Sequence, residues 1–354
     1  MNGVPVAFWN HFCDISLDTV LSKAVEHSGI FGNLAQIAYR RRAHYVTAIK
    51  DGVERLEHLF YKCTDRYVYN PEEIEAVPKK FVRTVTIKLY GEEYVTVSQK
   101  LVQRFPYTVF NFELHTSSIN EAWVEFARSL KKIGIVSIAN KLDDDAVQLL
   151  QKLFSSRFAN KLKVHEHACE GSIMKMVKFL LCQGQLKEFH ITKGTYGPWS
   201  SDSISDLLQF WTENSKQLKG EGFCVVNGCK GAVQQLKDFV IRNKLSRSSS
   251  RLLRIPGVTS MARRLSGIRW ALKRCSKEEC DFIHKNYRTC ISFIKPSCVY
   301  SYEEGEEGER RKLYISFECA KKEKPGQTKG RATAKGHKGL SSMQATSVLQ
   351  VLFA

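Results

Sequence analysis

The sequence predicts an α/β chain: a short helical N-terminal segment, then a curved β/α solenoid with parallel strands, then a C-terminal β-hairpin. Three observations predict it. Six apolar-x-apolar triplets recur through the middle, Val85-Thr-Ile87, Phe110-Asn-Phe112, Val136-Ser-Ile138, Leu162-Lys-Val164, Phe189-His-Ile191 and Phe223-Cys-Val225, and their last residues are 25, 26, 26, 27 and 34 positions apart. Apolar stripes at helical spacing lie between them. Two strand-like runs near the C-terminal end flank an acidic, Gly-rich loop. Alternation over three residues is weak evidence for a strand; the near-constant period supplies the weight.

The N-terminal residues Phe8, Phe12, Ile15, Leu17, Leu21 and Ala24 fall on helical faces, and His44-Tyr-Val-Thr-Ala-Ile reads as a strand leading into the main domain. Five stripes then alternate with the triplets: Ile119–Ile133, Val147–Phe154, Ile173–Leu181, Ile204–Trp211 and Val233–Val240. Asp143-Asp-Asp offers the second an N-cap with acids in its first turn. One strand and one helix in so few residues cannot cover their own apolar face, but stacked copies can. Strands joined by helices run parallel with right-handed crossovers. A doubly wound sheet also alternates strand and helix, but its Gly-rich turn after the first strand is missing. The predicted boundaries are a helical segment at 1–45, the repeat domain at 46–241, a basic linker at 242–274, C-terminal strands at 275–319 and a disordered basic tail at 320–354. In the strand pair, roughly Cys290–Tyr302 and Arg311–Cys319, the intervening Glu303–Glu309 loop is expected to be solvated and mobile.

The chain has 354 residues and a net charge of +18. Residues 240–274 hold ten Lys/Arg and no acid, and residues 321–338 hold seven against Glu323, so the rest of the chain is nearly neutral. The second segment lacks apolar residues that could offset its ordering entropy. No apolar run reaches the ~18 residues of a spanning helix, and the start lacks the pattern of a cleaved signal. With eleven cysteines, an odd number scattered through apolar patterns, the simplest expectation is reduced thiols in a cytoplasmic or nuclear protein.

The opening Met1-x-x-Val4-Pro5-x-x-Phe8, the three short helical runs and Phe31 near the start of the third resemble a degenerate F-box, with Phe31 standing where that family often has Trp. The repeat resembles the leucine-rich-repeat class in period and strand-then-helix order over residues 80–241, without its asparagine ladder. Together these features are similar to the nematode family of F-box-like proteins. The resemblance implies a substrate receptor of a cullin-RING ubiquitin ligase, in which the head docks an adaptor protein and the repeats hold a protein target. Val4, Pro5, Phe8, Phe12, Leu17, Leu21 and Phe31 are then the adaptor-binding candidates; the bland alternative is that they cap the open end of the repeat. Target contact is expected from strand positions facing away from the core: Thr86, Lys88, Asn111, Glu113, Ser137, Lys163, His165, His190, Thr192 and Cys224.

Enzyme signatures are absent: there is no P-loop, nucleophile elbow, His-Glu-x-x-His or dinucleotide fingerprint. No catalytic residue, cofactor or metal is assigned. His165 and His167 would share an exposed strand face without a third firm ligand, and Cys275, Cys280, His284, Cys290 and Cys298 lack the tight Cys pair usual in structural zinc sites. An alternative function is weak, non-specific nucleic-acid association through 242–274 and 321–338, although stacking aromatics are scarce there. A repeat scaffold whose head no longer binds an adaptor is the other alternative. No membrane partner is expected.

Overall fold

A computed structural model describes residues 4–16, 18–156, 159–194, 199–247, 271–287, 293, 297–305, 310–318 and 339–354. The chain is mixed α/β and divides into two compact units, residues 1–137 and 138–354. Among the described residues no helix is long and apolar enough to cross a membrane.

The first unit opens with helices α1 (Val6–Ile15), α2 (Asp18–Ala24) and α3 (Ile30–Arg41). They share a small core of Cys13, Leu21, Ala24 and Ala35. Buried Arg42 fastens them by donating to the carbonyls of Cys13 and Ser16. Next come β1 (Ala43–Lys50), β2 (Val53–Tyr61), β3 (Arg66–Val68), α4 (Pro71–Glu75), β4 (Val82–Tyr90), α5 (Val95–Arg104), β5 (Val109–Leu114), α6 (Glu121–Ser129) and β6 (Ile133–Ile138). The order across the sheet is β3-β2-β1-β4-β5-β6. β1, β4 and β5 are parallel, while β2 and β3 add antiparallel strands at the edge. Alternation of buried and half-buried residues, from Thr84 onward in β4 and throughout β5, puts Val85, Ile87, Leu89, Phe110, Phe112 and Leu114 on the helix side. The α6 stripe is shorter than the sequence predicts: Ile133 begins β6, and α5 has no counterpart among the five stripes.

The second unit continues with α7 (Asp144–Ser155), β7 (Lys161–His165), α8 (Gly171–Cys182), β8 (Glu188–Thr192), α9 (Ser203–Asn214), β9 (Gly222–Val226) and α10 (Lys230–Arg247). Asp143 caps α7 through the Ala146 amide at 2.7 Å. The first-turn amides of α9 are met instead by the Gln235 side chain, which accepts from Ile204 and Ser205. Then follow β10 (Leu272–Arg274), α11 (Lys277–Asn286), β11 (Ser297–Glu304), β12 (Arg311–Glu318), α12 (Gly339–Met343) and β13 (Val348–Phe353). The order is β7-β8-β9-β13-β12-β11-β10, parallel from β7 to β9 and antiparallel from there on.

Four expectations change here. The C-terminal strand pair is present but is no isolated hairpin, because β13 joins β12 to β9. The end of the presumed disordered tail is therefore ordered, while 321–338 and most of the 242–274 linker lie outside the described residues. The physical reason is burial. Val348-Leu-Gln-Val-Leu-Phe is almost continuously apolar, as a strand covered on both faces requires. In the loop expected to be solvated, Glu304 belongs to β11 and is buried, accepting from the Tyr302 hydroxyl at 2.8 Å and from Asn243. Finally, Cys298 is disulfide-bonded, whereas Cys13, Cys63, Cys169, Cys182, Cys224, Cys229, Cys275 and Cys280 stand outside disulfides. Spacing alone cannot reveal a pairing that only folding brings within reach.

Candidate functional site

The three N-terminal helices carry an uneven share of exposed apolar surface. Of the thirteen exposed large apolar side chains among the described residues, seven lie here: Val4, Val6, Phe8, Ile15, Val20, Ile30 and Ile37. Phe8 and Ile15 are seven residues apart on α1, and Ile30 and Ile37 seven apart on α3, so each pair forms one stripe on its helix. Trp9, Phe12 and Phe31 cluster through edge-on and tilted ring contacts, with Trp9 and Phe31 rings 4.4 Å apart. The adaptor candidates therefore divide. Val4, Pro5 and Phe8 are exposed and Phe12 and Phe31 half-buried. Leu21 is fully buried in the helices' own core and cannot be a contact, and Leu17 lies outside the described residues. Ile15, Val20, Ile30 and Ile37 were not among the candidates. Their heptad spacing was legible, but the face they occupy depends on how the helices pack.

In the first unit, the sheet face opposite α5 and α6 bears four of the expected target contacts side by side. Thr86 is in register with Asn111, and Lys88 with Glu113. A polar chain crosses the strands: His44 Nε2 lies 2.8 Å from Thr86 Oγ1, the Asn111 amide donates to the same hydroxyl, and Asn111 Oδ1 accepts the Ile135 amide at 2.9 Å. Gly134 is required beside it, since a β-carbon there would lie 2.1 Å from Asn111 Oδ1. Lys88 pairs with Glu57 at 2.7 Å. Burial opposes the Lys88 charge, but Glu57 outweighs it and raises the ammonium pKa. The His115 ring stacks on Tyr90 at 4.4 Å and approaches Glu113 at 3.2 Å. At the edge of this face stands an aromatic group the sequence reading missed: Phe60, Tyr67 and Tyr69, with His58 between. Tyr67 is 50% and Tyr69 65% exposed, their rings nearly parallel. The alternation Tyr67-Val-Tyr69 was the available signal.

The remaining contacts fare differently. Lys163, His165 and His190 are half-buried strand positions, with Lys163 in register with His190. Burial lowers the His190 pKa against the pull of Glu188. Ser137, Thr192 and Cys224 are buried, which removes them as contacts. The cause is visible for Cys224. It pairs with Gln350, and the face bearing Gln350, Ser316, Tyr314 and Leu352 is covered by Cys280, Ile283 and His284 of α11, leaving a gap of only about 10 Å³. Alternation places a side chain on a face but cannot say what covers that face.

No catalytic arrangement emerges among the described residues. His165 ends β7, but His167 sits in the following 3-10 turn, Glu166–Ala168, so the two do not share a strand face. Between them Glu166 is buried and accepts from the Ser200 amide, the Ser200 hydroxyl and the Ser201 amide. Burial opposes its ionisation, yet those donors outweigh it and hold the carboxyl below the usual range. All three donors come from one segment, so Glu166 works as a fastener for residues 199–201. Burial pushes the Cys169 thiol up to about 12, the opposite of a nucleophile's requirement. Cys275, likewise pushed up to about 12 by burial, packs with Cys280 in the core under α11. Among the described residues no three His, Cys, Asp or Glu side chains converge on a point where a metal could sit. No family model, no curated protein and no solved structure matches the chain.

Proposed function

We propose that this chain is a non-enzymatic interaction protein, an F-box-type receptor whose three-helix head docks the adaptor of a cullin-RING ubiquitin ligase. The observation that carries the reading is the crowding of exposed apolar side chains onto residues 4–37, with Phe8/Ile15 and Ile30/Ile37 forming helix stripes. Helix-borne apolar anchors of this kind seat in a partner's groove, and isolated exposure of so many is unusual on a surface with no partner. The same head also has its own core and its own tether through Arg42, so the stripes are not consumed in capping the sheet. A protein target is assigned to the open face around Thr86, Lys88, Asn111 and Glu113, extended by Tyr67 and Tyr69, and to the half-buried Lys163, His165 and His190. Tyrosine is a favoured anchor residue at interfaces. The curved-solenoid form of the repeat belongs to this same reading.

Pull-down of the recombinant adaptor by the full-length chain tests it. Wild type should capture the adaptor, and Phe8→Asp or Ile30→Asp should weaken capture at least about tenfold while leaving thermal unfolding unchanged. No capture by wild type, or equal capture by Pro5→Ala/Phe8→Ala and both charge variants, refutes the assignment.

A further inference from the structure

A second apolar opening lies in the first unit, on the helix side of the sheet and away from the surfaces described above. Between α5 and α6 runs a groove of about 600 Å³. Its floor is Phe110 from β5, Phe126 and Leu130 from α6 and its C-terminal end, and Val102 from α5. Its rim is polar: Gln99 and Gln103 one turn apart on α5, Ser129 at the end of α6, then Lys131 and Lys132. The rim residues are exposed and the floor residues buried or half-buried. No carboxylate lines the groove, and neither lysine has an acidic partner among the described residues.

We propose that this groove docks a short peptide segment presenting large apolar side chains next to carboxylates. The volume falls within the range of pockets that bury a compact apolar ligand. Two unpaired ammonium groups on one rim with no acid opposite select negative charge by complementarity. The Gln99 and Gln103 amides each offer a donor and an acceptor, which suits the alternating groups of an extended backbone. An aliphatic carboxylate such as a fatty acid shares the charge logic. However, it would leave a long tail against the exposed polar mouth, whereas a peptide needs to insert only its side chains. The site is independent of the head, so it stands or falls whether or not an adaptor is captured.

The test is display selection of a random peptide library on the full-length chain, followed by affinity measurement of the enriched peptides on variants. Ser129→Trp fills the mouth from an exposed position, and Lys131→Glu/Lys132→Glu inverts the rim. Enriched peptides should join Asp or Glu to Leu, Ile, Phe or Trp, bind at least about tenfold more weakly to either variant, and weaken with added salt. Thermal unfolding of the variants should match wild type. Enrichment of peptides lacking that pairing, affinity for both variants equal to that for wild type, no enrichment at all, or saturable binding of oleate without any enriched peptide would each overturn the proposal.

Discussion

Replacing Glu166 probes the second unit at one buried oxygen. Glu166 Oε1 accepts three hydrogen bonds, from the Ser200 hydroxyl at 2.7 Å, the Ser201 amide at 2.9 Å and the Ser200 amide. Hydrogen bonds to a charged acceptor are worth about 1.5–3 kcal/mol each, and a buried donor left unmet costs about 1–3 kcal/mol. The three share one oxygen and are not additive, and the hydroxyl can turn toward water, so Glu166→Ala should cost about 3 kcal/mol. Glu166→Gln keeps an acceptor in place and loses only the charge, about 1–2 kcal/mol. Urea unfolding at pH 7, followed by circular dichroism, reads both as lower midpoints of the transition that includes residues 138–354. The sign with pH follows from the lowered carboxyl pKa. The stabilisation is complete above the unfolded value of about 4.3 and is lost as pH falls through the lower folded value. Wild type and Glu166→Gln should therefore converge in strong acid. A Glu166→Ala variant within about 0.5 kcal/mol of wild type, or a gap to Glu166→Gln that widens in acid, refutes the fastener role.

Gly222→Ala should block pairing of β9 with β13, because the added carbon would lie 2.3 Å from the Val351 carbonyl oxygen; a cost above about 2 kcal/mol in urea unfolding is expected. Trp211 is fully buried and stacks on Phe353 at 6.1 Å, so Trp211→Ala should cost about 3–5 kcal/mol by the same assay. Deleting 348–354 should leave the second unit unable to fold cooperatively, whereas deleting 321–338 should not, a contrast limited proteolysis will show. Iodoacetamide at pH 8 should label half-buried Cys63 and spare Cys169, Cys229 and Cys275, whose buried thiols are pushed up to about 12; mass spectrometry of tryptic peptides reads the result.

The six triplets were legible because each is a local alternation repeated at a steady interval, and all six lie in β4 to β9. The helix side of those strands followed directly. What was not legible is coverage by elements distant in sequence. Ser137, Thr192 and Cys224 had the alternation of exposed positions, and only the arrival of α11 and β13 explains how the Cys224 face closes. Gln350 illustrates the limit: a polar residue in a C-terminal run looks solvent-facing, yet it is 4% exposed. In the head, Leu21 and Ile15 have similar hydropathy, and packing alone sends one to the core and the other to the surface.

The place of β13 has a consequence for biogenesis. It is synthesised after both strands it joins, and more than a hundred residues after β9. Until it arrives, a nascent chain holds two bare backbone rims, on β9 and on β12, with the apolar row Phe223 and Val225 beside one and Leu313, Ile315 and Phe317 beside the other. Such rims invite pairing with other chains, and closure across so long a separation is slow. Exposure to misassembly is therefore concentrated in the interval before β13 is threaded into place, and a chaperone that shields those rims would act there.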